Sequence, residues 1–391
     1  MKIPKNLLDR EYMTNQLIEA KILDEKLTKS TNSLVEKYSE YLKLSESNPS
    51  KKYSLDDVDH RIEAYANNIQ CHVFEYNSTT DKKESSKANN LLFYYHGGGW
   101  VLGSAKNGSF NLCQNMAKFT ESTVISVEYN LAPEFPFSDD LKIRNAFSDC
   151  YNATLDYLQR NTNRNKNNKF GLIGDSAGGN LCLAVGLKFA DQLEENDELM
   201  PSFIAPVYPV TNCTDFETES YRPNATSKKQ FCENDHLTRK QMIEFITLYL
   251  LGYKATNDMV EKWSQSSISH QLQNLKIIEN LSKDSIFPAL KLFSPFASPI
   301  KAPDSLWSKF LNNLKGKIYF YIAEHDVLRD DSEILVEKLK KLSGGDSKIE
   351  VFLVEGQLHG SFRVCHDVPD EMRENFEKSS EFLKKLKNCF A

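Results

Sequence analysis

Phe170-Gly-Leu-Ile-Gly-Asp-Ser-Ala-Gly-Gly-Asn-Leu181 is the stretch on which the fold of this 391-residue chain turns. An apolar run climbs to Ile173, breaks at Gly174-Asp-Ser-Ala-Gly178, and resumes as Leu181-Cys-Leu-Ala-Val185. Strand, sharp turn and buried helix form the setting in which Gly-x-Ser-x-Gly acts as a nucleophile elbow. So tight a turn leaves no room for side chains at Gly174 and Gly178. It lifts the Ser176 hydroxyl off the backbone and puts the Ala177 amide at a helix start, where developing negative charge is favoured. Five residues alone can arise by chance in an ordinary turn. The flanking elements and the rest of the chain decide between the two.

Upstream, Leu91-Leu-Phe-Tyr-Tyr95 is a continuous apolar strand suited to burial on both faces. It runs straight into His96-Gly97-Gly98-Gly99-Trp100. Consecutive glycines let backbone amides approach a ligand without obstruction. An oxyanion hole needs such donors about 3 Å from a developing O⁻, each contributing roughly 2.7–4 kcal/mol. The competing reading is a flexible loop, but His-Gly-Gly-Gly is the form that lipase and esterase oxyanion loops take. Nine of the 16 glycines fall between Gly97 and Gly179, so glycine is concentrated where close backbone approach matters.

Residues 5–44 place apolar groups at the three- and four-residue spacing of amphipathic helix. Two short strands are expected over 62–76, an exposed loop over 77–90 and a buried strand over 123–127. A helix over 139–160, a polar loop, strand 169–173, a helix to about 193 and a strand over 202–209 follow. Between 212 and 315 this rhythm is interrupted by mixed aromatic, polar and proline-bearing sequence, with a helix expected at 237–252. It resumes with strand 317–323, helix 332–342, strand 349–354 and a closing helix near 371–388. Alternating strands and helices predict an α/β fold, a doubly wound, mostly parallel sheet. The chain divides into a helical cap segment (1–60), a first core part (61–211), an inserted lid (212–315) and a second core part (316–391).

A serine hydroxyl needs an adjacent base. In this fold the order is Ser, then Asp or Glu, then His, on loops at carboxyl ends of strands. Only His325, His359 and His366 follow strand 317–323. His359 sits just past the last expected strand and is the preferred base; His325 lies beside the acid candidates, and His366 reads as a surface residue. Among Glu324, Asp326, Asp330 and Asp331, Asp326 is preferred by position. Asp330 and Asp331 read as capping groups for helix 332–342.

Net charge is −6 with both signs interspersed, which excludes an extended nucleic-acid surface. Eight scattered cysteines form no Cys-x-x-Cys pair, so neither a zinc site nor a dithiol motif is expected. No metal and no cofactor is called for. No apolar run suits a signal peptide or a transmembrane segment. A cytoplasmic location is therefore expected, or the endoplasmic reticulum lumen if a targeting segment is missing from this chain. Six Asn-x-Ser/Thr sequons read as unused.

With Tyr95-His-Gly-Gly-Gly-Trp100, Tyr129-Asn-Leu-Ala-Pro-Glu134, Gly174-Asp-Ser-Ala-Gly-Gly-Asn-Leu181, Asp326-Val-Leu-Arg-Asp330 and His359-Gly in this order, the chain resembles the hormone-sensitive-lipase branch of the α/β hydrolases. Within it, the likeness is to the arylacetamide deacetylase and neutral cholesterol ester hydrolase group, from about residue 60 onward. The resemblance implies Ser176 as nucleophile, His359 as base, Asp326 as orienting acid, and the Gly98, Gly99 and Ala177 amides as oxyanion hole. Gly97, Gly174, Gly178 and a structural His96 would support them.

It also implies a carboxylic-ester hydrolase acting on small or lipid-like acyl esters, or an amide deacetylase. A small-molecule ester or amide is the expected partner, and a homodimer is compatible with the sequence. A rival of another class is a non-catalytic small-ligand-binding protein on the same fold, against which His359 speaks. Two departures stand out. Asn130 occupies the place of an arginine, which predicts a lost ion pair, and the Glu134–Asp149 stretch is several residues long for the group.

Overall fold

The structure is a computed structural model. It describes residues 55–77, 90–106, 108–161, 169–192, 199–214, 216, 218–221, 237–252, 294–367, 369 and 372–390. The amphipathic segment expected over 5–44, most of the 77–90 loop and much of the 212–315 insertion lie outside the described residues.

An N-terminal hairpin opens the described chain: β1 (Val58–Tyr65) and β2 (Ile69–Tyr76), turned at Asn67 and Asn68 with φ of 47° and 64°. Asparagine tolerates that left-handed region better than most residues. β3 (Leu91–Tyr95) follows, then a helix absent from the sequence expectations, α1 (Phe110–Thr120), and β4 (Thr123–Val127).

Helix α2 (Ala146–Asn161) begins seven residues later than the 139 start expected. The reason is local. The Asn145 Oδ1 accepts from the Phe147 and Ser148 amides at 3.0 and 3.3 Å, and the Ser148 Oγ accepts from the Asn145 amide at 3.0 Å. This reciprocal cap fixes the helix start.

β5 (Phe170–Asp175), α3 (Ala177–Gln192) and β6 (Phe203–Val207) come next. Within the stretch read as an insertion, α4 (Arg239–Leu251) carries a complete capping box between Thr238 and Gln241 and ends at left-handed Gly252. α5 (Asp304–Asn313) also falls in the stretch read as insertion. It packs on α3, with Trp307 and Phe310 in the main core. β7 (Ile318–His325), α6 (Arg329–Leu342), β8 (Ile349–Leu358), the short α7 (Ser361–Val364) and α8 (Arg373–Lys387) complete the order.

The eight strands form one sheet in the order β1-β2-β4-β3-β5-β6-β7-β8. β1/β2 and β2/β4 are antiparallel; every other pair is parallel. The central strands β3, β5 and β6 are buried along their whole length, as their unbroken apolar runs require. Two apolar clusters cover the faces: one with α2, α3 and α5, the other with α1 and α8. The carboxyl ends of β3, β5, β7 and β8 open on the same edge, where open α/β sheets carry their sites. Among the described residues seven cysteines are free, and no helix is long and apolar enough to cross a membrane.

One expectation is corrected. His366 is buried, not on the surface: its ring lies between Phe362 and Phe376, and Nε2 meets the Ser379 Oγ at 2.7 Å. Burial pushes its pKa down to about 3. Asn130 carries no charge, as expected, but its amide group still meets a carboxylate. Buried Asp149 accepts from Arg144 Nε at 2.6 Å and Nη2 at 3.2 Å, and from the Asn130 side chain at 2.7 Å. Arg144, within the 134–149 stretch, supplies the cation that pairs with Asp149.

Candidate active site

The elbow is built from backbone. Ser176 follows β5 directly and sits at φ 57°, a left-handed conformation costly for a residue with a side chain. Its amide donates to the Val207 carbonyl at 2.9 Å, and its own carbonyl accepts from Asn180 at 3.1 Å and Val210 at 3.3 Å. A Cβ on Gly174 would overlap the Gly178 carbonyl, and one on Gly178 the Tyr95 carbonyl, so both approaches demand glycine. The Asn180 side chain donates to the Val210 and Ala297 carbonyls at 2.8 and 2.9 Å. That pins the first turn of α3.

The glycine loop leaves β3 with Gly98 at φ 125° and Gly99 at φ 61°. Its carrier is Asp175, which sequence reasoning passed over. The Asp175 Oδ1 accepts from the Gly97 amide at 2.9 Å and from the Tyr94 hydroxyl at 2.6 Å, tying elbow to loop. Burial, with the Asp175 charge, pushes the Tyr94 hydroxyl far above its ordinary pKa and keeps it a donor. His96 turns into the loop, not toward the serine. Its Nδ1 lies 2.9 Å from the Gly97 carbonyl, and its ring stacks on Tyr129 with centroids 4.1 Å apart.

Helix α4 closes over this loop. Trp100 stacks flat on Tyr249, centroids 4.3 Å apart and planes within 4°. The Phe245 ring occupies the space a Cβ on Gly99 would need. The Tyr249 carbonyl accepts from the Phe137 amide at 2.7 Å, joining the helix to the 131–137 turn.

Asp326 directly follows β7, which runs two residues beyond the expected end at 323. Its Oδ1 accepts from the Leu328 amide at 2.9 Å. Helix α6 starts three residues earlier than expected, with Leu328 at its N-cap, so Asp330 and Asp331 lie inside the first turn, where their negative charge is favourably placed. Asp330 also accepts from the Ser220 amide at 2.7 Å.

β8 is longer than expected and breaks register against β7: Ala323 pairs with Val354, but His325 with Leu358. Across this bulge Gly356 takes φ 72° and donates to Glu324 at 2.8 Å. Gln357 turns inward, accepting from Tyr321 at 2.6 Å and Ser361 at 2.9 Å. The bulge re-aims the strand end, and His359 emerges over the elbow. His359 Nδ1 lies 2.7 Å from Asp326 Oδ2 and Nε2 lies 2.9 Å from Ser176 Oγ. Ser176 and Asp326 are buried, and the His359 side chain is 12 % exposed. Hydroxyl, imidazole and carboxylate therefore form one hydrogen-bonded chain, an arrangement chemically able to activate an oxygen nucleophile. His325 faces Glu324 and His366 faces Ser379, so neither joins it. Among the described residues no three His, Cys, Asp or Glu side chains gather as a metal site.

This sheet, elbow and loop match a known architecture: the model of a family described as alpha/beta hydrolase fold matches residues 92–278. The chain has the α/β-hydrolase fold. Similar solved structures with that fold include carboxyl esterase 2 of Tuber melanosporum (TM-score 0.62, 19% identity, 92% of this chain and 99% of that one). Another is the hyperthermophilic esterase of Pyrobaculum calidifontis (TM-score 0.59, 23% identity, 96% and 97%). Among curated proteins this chain is similar to neutral cholesterol ester hydrolase 1 of Mus musculus, 28% identical over 270 residues (62% of this chain, 60% of the relative). It is likewise similar to arylacetamide deacetylase of Bos taurus, 28% identical over 287 residues (67% and 66%). The match thus spans about 60% of the length of the first of these relatives.

Proposed function

We propose that this α/β-hydrolase chain is a serine carboxylic-ester hydrolase working through an acyl-enzyme. The observation that carries it is the imidazole of His359 within hydrogen-bond reach of both Ser176 and Asp326. In the proposed cycle Ser176 Oγ attacks the acyl carbon as its proton passes to His359 Nε2, while Nδ1–H donates to Asp326. The carbonyl oxygen becomes an oxyanion, held by the amides of Gly98, Gly99 and Ala177. Its collapse breaks the bond to the leaving alcohol, which takes the proton from His359. Water, deprotonated by the same imidazole, then attacks the acyl-enzyme, and Ser176 recovers its proton. Residues 1–60 and 212–315 are proposed to cap the site and to set acyl length.

The relatives named as an ester hydrolase and as a deacetylase support an acyl substrate and keep an amide leaving group as the second reading. Ser176→Ala should abolish turnover of a short-acyl p-nitrophenyl ester while leaving circular dichroism and melting unchanged. A fluorophosphonate adduct should map to Ser176. Full activity in the variant rejects the proposal, and tight ligand binding without any adduct favours a non-catalytic binding protein. Rates on acetyl, butyryl and long-chain esters and on an arylacetamide separate the two leaving-group readings.

A further inference from the structure

Tyr208 stands between the two halves of the site and has no part in the proposed cycle. It follows β6 at φ 32°, a conformation unfavourable for a residue bearing an aromatic side chain, and it is buried. Such outliers persist where the surroundings over-determine them, and they concentrate at functional sites. The surroundings here are specific. The Tyr208 amide donates to the Tyr321 carbonyl at 2.7 Å. Its neighbours embrace the elbow: the Val207 carbonyl accepts from the Ser176 amide, and the Val210 amide donates to the Ser176 carbonyl. A Cβ on Gly179 would collide with Pro209, so this segment also lies against the start of α3.

The side chain reaches the other half. The Tyr208 ring lies 4.8 Å from the His359 ring, tilted at 53°. It also meets Tyr321 edge-on, and the Tyr321 hydroxyl donates to Gln357 on the strand end that delivers His359. One residue is thus fixed to the nucleophile through its backbone neighbours and packed against the base through its ring.

We infer that Tyr208 is a positioning residue: its ring, packed against the His359 imidazole, holds it in the plane that reaches Ser176 and Asp326 together. A small rotation of the imidazole lengthens one of the two hydrogen bonds, and the packed Tyr208 ring opposes it. The inference rests on the serine-hydrolase reading above.

The test compares Tyr208→Phe, which keeps the ring, with Tyr208→Leu, which fills the space without one, in the full chain. Readouts are kcat and KM on a p-nitrophenyl ester, the second-order rate of fluorophosphonate labelling, and the melting temperature. General acid–base catalysis contributes about 10²–10⁴-fold, so partial loss of its alignment should lower kcat about 10- to 100-fold in Tyr208→Leu. KM should stay within about twofold of the parent value and Tyr208→Phe within about threefold of its rate, as expected of a ring that acts through His359.

In a His359→Ala background Tyr208→Leu should cost nothing further, because a residue acting through another shows no independent effect once that partner is gone. If Tyr208→Leu does not fold, Tyr208→Trp and Tyr208→Met carry the same contrast of ring against no ring. An undiminished kcat without the ring, or an equal loss in the His359→Ala background, overturns the inference. Wild-type protein that neither turns over esters nor takes the probe overturns the hydrolase reading instead, so the two failures are told apart.

Discussion

Ser176 and His359 meet at 2.9 Å, yet their positions are secured by different means. Around Ser176 the constraints are main-chain ones: carbonyls against glycines, amides to carbonyls, and a strand buried on both faces. Around His359 they are side-chain ones at the edge of the sheet: the Glu324 carboxylate, the Gln357 amide, the Tyr208 ring and the Asp326 carboxylate. A backbone lock tolerates almost no substitution, because any added Cβ has nowhere to go. A side-chain lock can be weakened one contact at a time. Substitutions that add bulk at the elbow glycines should therefore fail by misfolding, and those around the histidine by losing rate in a folded protein.

The largest effect expected on the histidine half comes from Asp326→Asn. Replacing the orienting carboxylate with an amide leaves the shape but supports the wrong imidazole tautomer, and kcat should fall about 10⁴-fold. Melting should move by only a degree or two. A loss of tenfold or less, measured on a p-nitrophenyl ester, would remove Asp326 from the proposed triad and break the contrast.

Gly178→Ala probes the other half. Its methyl group is driven into the Tyr95 carbonyl, and urea denaturation should show a loss of about 3 kcal/mol, in the upper range for overpacking. Unchanged stability would mean that the elbow is looser than its contacts imply.

Arg144→Ala tests whether the long 134–149 stretch is structural. Asp149 is buried and keeps only its neutral donors once the guanidinium goes, which should cost about 2–3 kcal/mol. Catalytic rates in the surviving folded fraction should stay at the parent value. If the loss is under half a kcal/mol, Asn130 alone suffices for Asp149.

The smallest effect concerns pH. Burial lowers the folded-state pKa of His366 from 6.5 to about 3, so the unfolded chain takes up the proton first. Stability is full above pH 6.5, declines as pH falls below it, and levels off near pH 3. Between pH 7 and 5.5 this amounts to about 1 kcal/mol. The drop should be absent in His366→Asn; a variant with an undiminished slope would assign the acid sensitivity to other groups.

What the sequence made legible follows the same division. The elbow and glycine loop leave a local signature, because close backbone approach requires glycine at fixed spacing: 97–99, 174 and 178. Asp326 and His359 could be ranked only by their order after strands, since no local string encodes a contact 33 residues away. Three features had no local signal. Asp175 is a carboxylate inside the motif, but its partners, Tyr94 and Gly97, are 81 and 78 residues distant. Tyr208 looks like any core tyrosine until its ring is seen packed against that of His359. His366 is a polar residue in a polar stretch, and only the packing of Phe362 and Phe376 puts it inside.

The flat stack of Trp100 on Tyr249, with Phe245 filling the hollow at Gly99, makes α4 the wall against which the glycine loop is moulded. A chimera that grafts another helix over 239–251 to change acyl preference would therefore remould that loop as well. Such a swap needs matched rings at 245 and 249, or it will alter turnover before it alters selectivity.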